Sequence, residues 1–401
     1  MKMKLGCALP VMYMILACYI ICYTFLMSYC HGVVEEAKTL ERNEDLDIEQ
    51  KLKLINKPAV KIIKSINGER YGCVDFYKQP GLDHPSMKNH TFHYKMRMSH
   101  LERSKMKRET HSNKTFGYFW ENGVGCPIGT VPILRVTKDA LLKIKSIDSD
   151  NSNPQSSWGK TYKPTSSIDN HHFAVVRTTK GKPKSYNGAS MNINTFIPSV
   201  GPMQFSASRM HFQIGNEFIQ VGWIVHPQLY HDFNSRLFVF TNAGGHECYN
   251  LFCPDGSGMI LVSEDFTPGL LAEQKSIDFA IMKDKINGNW WLLMGTSWEE
   301  IGFWPSSRFK ESSGTRVEWG GEVYSPSPPN PPMGNSHYPK GSPIVDSYVR
   351  LITTVDENYN TDKTVKNTER YSDSCYKVRD ATETFFTHVG HLIIYGGPGC
   401  K

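Results

Sequence analysis

The sequence predicts a mainly β protein: an antiparallel β-sandwich over residues 171–401, preceded by a smaller mixed α/β region. Three observations predict it. Short β-type runs recur after His171 with Gly and Pro turn signals between them. Helical periodicity is almost absent from that part of the chain. Charged, helix-type stretches and a Ser/Asn/Lys/Pro-rich connector are confined to the part before it.

Taken in order, Lys2 and Lys4 precede an apolar run over residues 5–27. This is the pattern of a signal peptide, and it is also long enough to span a bilayer as an uncleaved anchor. Either way residues 1–30 lie outside the fold, and the remainder is expected in the secretory pathway or outside the cell. Membrane association is expected only if the segment is uncleaved. Residues 32–60 are charged and helical in pattern until Asn56-Lys57-Pro58 stops them. A strand pair turning at Asn67-Gly68 follows. A short helix is expected over 138–147. Residues 147–170 read as a linker or a long exposed loop. The expected strands cover 173–178, 189–196, 203–214, 218–225, 236–240, 259–262, 278–282, 289–294, 302–304, 315–324, 347–354 and 388–395. Asn287-Gly288 between two of them is a hairpin signal.

Composition narrows the function. A net charge of +6 over 401 residues is mild, and the one basic run, residues 95–108, reads as a solvated loop. A nucleic-acid partner is therefore not expected. Three of the ten cysteines, Cys7, Cys18 and Cys22, fall in the apolar run, with Cys30 at its edge. The other six invite disulfides in a secreted chain. Proximity in sequence pairs Cys73 with Cys126, Cys248 with Cys253 and Cys375 with Cys400, although six cysteines allow fifteen pairings. Asn89-His90-Thr91 and Asn113-Lys114-Thr115 are glycosylation sequons, so Asn89 and Asn113 are surface candidates.

Hydrolase signatures such as H-E-x-x-H and G-x-S-x-G are missing, and so are nucleotide loops and metal-ligand spacings. No cofactor or metal is implied. His171-His172 point to opposite faces of a strand and read as structural. Carboxylate chemistry remains. Trp319-Gly320-Gly321-Glu322 places a carboxylate after a Gly pair inside a strand, where glycine marks a bulge or a close backbone approach. Glu318 reads as a surface strand residue. The polar group expected opposite Glu322 is Gln220, in Ile219-Gln220-Val221-Gly222-Trp223. The tryptophans Trp223, Trp291, Trp304 and Trp319 are candidates for a cleft that holds proline rings. The competing reading of such aromatics is core packing.

Many short motifs in order make the chain similar to the neprosin family, known from a proline-directed glutamic peptidase. They include His171-His172-Phe173-Ala174, Gly222-Trp223, Cys248-Tyr249-Asn250-Leu251-Phe252-Cys253-Pro254, Gly288-Asn289-Trp290-Trp291-Leu292, Gly302-Phe303-Trp304-Pro305, Trp319-Gly320-Gly321-Glu322-Val323 and Tyr395-Gly396-Gly397-Pro398-Gly399. Ahead of them, Leu54-Ile55-Asn56-Lys57-Pro58, Cys73-Val74-Asp75, Asp83-His84-Pro85 and Cys126-Pro127 resemble the family's activation peptide.

The resemblance implies a precursor in which a pro-domain, residues 32–146, inhibits a β-sandwich peptidase domain, residues 171–401. The maturation site is expected in the linker 147–170, with Lys107-Arg108 as a weaker dibasic candidate. It implies a metal-free glutamic endopeptidase that cuts proline-containing peptides or proteins with two glutamates across a cleft. Glu322 matches the second glutamate. Gln220 stands where the first is expected, and Glu217 lies on the opposite strand face. Gln cannot ionise, but its amide can donate to a developing oxyanion, and a Glu/Gln pair serves the fungal eqolisins, another glutamic peptidase family with a β-sandwich. The alternative implied by Gln220 is a pseudo-peptidase that binds proline-rich extracellular peptides or cell-wall proteins without cutting them.

Overall fold

The computed structural model describes residues 44–88, 116–149, 152–162, 170–179, 185–273, 275–381 and 389–400, with Met96 and some positions between 14 and 29. Both sequons, most of the basic run and most of the N-terminal apolar run lie outside the described residues. No helix among the described residues is long and apolar enough to cross a membrane. The chain divides into two compact units, 1–53 and 54–401. In the first, residues 44–53 are helical.

The second unit holds three antiparallel sheets. The smallest contains Ala59–Lys64, Arg70–Asp75 and Thr130–Leu134. Its first two strands turn through Asn67-Gly68, with Gly68 at φ +83°. A Cys73–Cys126 disulfide ties the middle strand to the approach of the third. A helix, Lys138–Ser149, follows.

The sandwich comprises the other two sheets. One runs from edge to edge as Thr368–Ser372, His171–Thr178, Arg316–Tyr324, Phe205–Ile214, Glu217–Val225, Arg236–Ala243 and His246–Tyr249. The other runs Ile260–Leu261, Glu299–Trp304, Trp290–Met294, Ser276–Lys283, Tyr186–Asn194, Ser347–Asp356, Leu392–Gly396 and Lys377–Asp380, with Thr361–Asp362 also paired to Ser347–Asp356. Alternation explains the shared core. In Arg316–Tyr324, Val317, Trp319 and Val323 face the second sheet, and in Glu217–Val225 so do Ile219, Val221 and Trp223. The Trp223 indole donates across the core to Asn194 O at 2.8 Å. Disulfides Cys248–Cys253 and Cys375–Cys400 close loops at the rim.

The small sheet and its loops dock on the end of the second sheet. Ile260–Leu261 is an edge strand, with unpaired backbone groups on its outer side. The buried Gln79 amide completes it, donating to Leu261 O at 2.9 Å and accepting from Leu261 N at 2.8 Å. Nearby, Trp120 Nε1 donates to Asp265 O at 2.9 Å, and Phe116 packs on Phe266 at 5.3 Å.

Candidate active site

The outer face of the seven-stranded sheet is polar where the inner face is apolar. Register lines its side chains up in rows across the strands. One row reads Phe240, Gln220, His211, Glu318, Arg177, Glu369. The next reads Phe238, Gly222, Arg209, Gly320, Val175, Tyr371. A third places Glu322 between Ala207 and Phe173. Arg209 is thus flanked by two glycines and can reach the rows on both sides.

It uses that freedom to join two carboxylates. Arg209 Nε donates to Glu322 Oε2 at 2.9 Å, and Nη2 donates to Glu318 Oε1 at 2.6 Å. All three side chains are fully buried. Burial alone would push the Glu322 carboxyl up. The adjacent Arg209 guanidinium, the His171 ring, whose Nδ1 donates to Glu322 Oε1 at 3.0 Å, and the Gln155 amide outweigh it. The result holds Glu322 below the usual carboxylate range. For Arg209, burial pulls the guanidinium down, but Glu318 and Glu322 together raise it.

Gln220 is oriented by a chain of neutral groups. Burial drops His211 to about 4, against an opposing pull from Glu318. The ring is therefore neutral at ordinary pH, with one donor and one acceptor nitrogen. Gln213 gives its amide hydrogens to Gly215 O and Glu217 O, each at 3.0 Å, which leaves its Oε1 to accept from His211 Nε2 at 2.8 Å. His211 Nδ1 is then the acceptor, and Gln220 Nε2 donates to it at 2.9 Å. The second hydrogen of that amide points into the cleft.

Residues 152–158 lie across this face. Gln155 N donates to Glu322 Oε1 at 2.7 Å, while Gln155 O accepts from Gln220 Nε2 at 2.9 Å and from Arg209 Nη2 at 3.2 Å. Two residues on, Ser157 N donates to Glu318 Oε1 at 3.3 Å, and Ser157 Oγ donates to Glu318 Oε2 while accepting from Arg177 Nη1 at 2.7 Å. Asn153 Nδ2 is held by Glu247 at 2.6 Å, and Trp158 sits 6.0 Å from the His211 ring, with Arg177 and Arg316 cationic groups against its own. A short helix, Ser157–Tyr162, carries the chain out of the cleft. Among the described residues, Arg209 Nη1 and Gln220 Oε1 have no hydrogen-bond partner.

Glu322 and Gln220, the pair singled out in the sequence, thus converge on one peptide residue. Other expectations need correction. Trp223 and Trp319 line no cleft: strand alternation turns them into the inter-sheet core, away from Glu322. Trp291 and Trp304 belong to the second sheet and are fully buried as well. The Gly320-Gly321 pair makes no bulge, since pairing continues without a slip on both sides. Its glycines serve close approach: Gly320 has φ +137° and passes against Ala174 O, and Gly321 faces Met333 and Tyr395. Glu318 is no surface residue but fully buried, and His171 is bonded to Glu322. Glu217 does lie apart, accepting from Gly244 N and Lys310 N at 2.7 Å each. Residues 152–158 read as exposed linker because their Ser, Asn and Gln composition is that of a loop. The missed signal was alternation: Arg209 and His211 alternate with Met210 and Phe212, as Glu318 does with Val317 and Trp319. Among the described residues no cluster of three or more His, Cys, Asp or Glu side chains could hold a metal ion.

Comparison with known proteins bears on this arrangement. The neprosin activation-peptide family model matches residues 62–177, and the neprosin model matches residues 202–398. Among solved structures, scytalido-glutamic peptidase with a transition-state analogue inhibitor is similar at 8% identity, covering 57% of this chain and 98% of that one, with a TM-score of 0.35. SCP-B, a member of the eqolisin family in complex with the tripeptide Ala-Ile-His, is similar at 9% identity over 56% of this chain and 96% of that one, with a TM-score of 0.30. The Crh5 transglycosylase is similar at 9% identity over 43% and 66%, with a TM-score of 0.22. With both of its family's segments matched in chain order across most of residues 62–398, this chain belongs to the neprosin family of glutamic-type peptidases, activation peptide included.

Proposed function

We propose that this protein is the latent precursor of a metal-independent endopeptidase that cuts peptides beside proline, with Glu322 as general base. One observation carries the reading: Glu322, Gln220 and Arg209 together grip both backbone polar groups of Gln155, as a peptidase cleft grips a substrate residue. In this reading Glu322 takes a proton from the attacking water. Gln220 and Arg209 hold the charge that develops on the carbonyl oxygen, a contribution of about 10²–10³ in rate for each good donor. Gln220 suits that role as an amide, because an ionised glutamate there could not donate to a carbonyl oxygen. Residues 152–158 act as the inhibitor, anchored from one side by the docked activation-peptide region. Three disulfides fit an oxidising, secretory destination.

The test is hydrolysis of a quenched proline-containing peptide by the acid-treated full-length chain, with Glu322→Gln and Gln220→Glu in parallel. Cleavage by the natural chain that is lost in Glu322→Gln supports the reading. A silent natural chain beside an active Gln220→Glu variant would make the protein a peptide binder that has given up cutting. The observation that favours this second reading is that Gln220 cannot ionise and Arg209 neutralises the neighbourhood of Glu322.

A further inference from the structure

The grip on Gln155 also bears on why proline is selected, an inference that rests on the peptidase reading above. The Gln155 carbonyl occupies a seat with two donors, Gln220 Nε2 at 2.9 Å and Arg209 Nη2 at 3.2 Å. Its amide N–H donates to Glu322 Oε1 at 2.7 Å. That oxygen already accepts from His171 Nδ1 at 3.0 Å, and Oε2 accepts from Arg209 Nε at 2.9 Å. A carboxylate oxygen has two lone pairs, so a residue with a backbone N–H in this seat fills Oε1 completely. Oε1 is then closed to a water while such a peptide is bound, and Oε2 is engaged by Arg209.

We propose that proline is selected at the position of Gln155 because it has no backbone N–H, so it takes the carbonyl seat and leaves a lone pair of Glu322 Oε1 to a water molecule. That water attacks the carbonyl carbon and gives one proton to Glu322. Gln220 and Arg209 hold the oxyanion. The bond from that carbon to the next residue's nitrogen breaks as Glu322 passes its proton to the departing amine. One water is consumed, and the products are a peptide ending in a proline carboxyl group and a peptide with a new amino terminus. By the same argument, Gln155 is what makes residues 152–158 an inhibitor instead of a substrate. The Gln155–Ser156 bond lies in the seat, and the N–H of Gln155 protects it.

The experiment has two arms. In the first, the full-length chain carrying Gln155→Pro is followed by intact mass and fragment sequencing. Cleavage that leaves a fragment beginning at Ser156 is expected, with wild type and Gln155→Ala intact at that bond and Gln155→Pro combined with Glu322→Gln intact as well. In the second, the acid-treated natural chain receives three peptides that differ at one residue: proline, N-methylalanine or alanine. Proline and N-methylalanine peptides are expected to be cut, and the alanine peptide about 100-fold more slowly, the loss of an available general base. If N-methylalanine is as poor as alanine while proline is cut, the ring and not the missing N–H selects, and the inference falls while the peptidase reading stands. Alanine cut as fast as proline overturns it equally. If no peptide is cut and Gln155→Pro stays whole, the peptidase reading itself falls. The peptide arm decides the matter even if Gln155→Pro fails to fold.

Discussion

Two regions hold the N-terminal part of the second unit to the sandwich, and they do so by different chemistry. At the dock, the contacts of Gln79, Trp120 and Phe116 are neutral: an amide completing an edge strand, an indole on a carbonyl, packed rings. Charged groups join them at its margins, Arg236 to Glu69 at 2.9 Å, Gly125 N to Asp265 at 3.1 Å and Arg308 to Gly81 O at 2.8 Å. At the cleft, residues 153–158 are held almost wholly by ionised side chains: Glu247, Glu322, Arg209, Glu318 and Arg177. The contacts of Gln79, Trp120 and Phe116 are indifferent to pH, and those made by the cleft carboxylates are not.

The most severe way to break the contrast is at its charged side. Arg209→Met removes the cation between two buried carboxylates and is expected to destabilise the sandwich by about 3–5 kcal/mol, read by denaturant unfolding. The same change at the surface would be nearly silent, so a small effect would refute the buried bridge. On the neutral side, replacing Cys73 and Cys126 together by alanine opens a loop with a sequence separation of 53 and should cost about 4 kcal/mol by loop entropy. That loss should appear in the precursor and leave the cleft geometry intact. Gln79→Ala leaves two buried backbone groups of Leu261 without partners and should weaken the dock by about 2 kcal/mol. On the peptidase reading, activity without the N-terminal region should be unchanged by that substitution, whereas Ser157→Ala should loosen the cleft segment by about 1–2 kcal/mol and raise the activity of the full-length chain.

Acid sharpens the comparison further. The Glu322 carboxyl is depressed in the folded protein. Its contribution to stability is therefore present above the unfolded carboxyl's ordinary range and is lost as pH falls through the depressed folded value. Hydrogen exchange corrected for its intrinsic pH dependence should show the Gln155 amide losing protection in acid. The Leu261 amide, held by the Gln79 side chain, should keep its protection. Equal loss at both would remove the distinction between dock and cleft.

Much of the fold was legible in residue patterns. The expected strands after His171 were found close to their expected positions, because alternation and Gly/Pro punctuation are local signals. Edge strands such as His246–Tyr249 and Lys377–Asp380 were missed, being short and mostly polar or exposed. The three disulfides join the cysteine pairs nearest in sequence. The site was legible in part. Glu322 stood out because a Gly pair precedes it, and Gln220 because of the Gly-Trp that follows. Arg209 did not, and Glu318 and His171 read as a surface and a structural residue, since each acquires its partners only beside the others.

The sequence by itself determined which residues alternate, and so which side chains of each strand share a face. It also determined that a Gln, not a Glu, stands at position 220, and that three pairs of cysteines were at hand. Register between strands far apart in the chain was decided only in the tertiary structure. That register sets Arg209 between Gly222 and Gly320, in reach of both Glu318 and Glu322, and lays Gln155 on the pair. The physical reason is range: turn chemistry and periodicity act over a few residues, whereas a buried charge is tolerable only when partners more than a hundred positions away arrive to neutralise it.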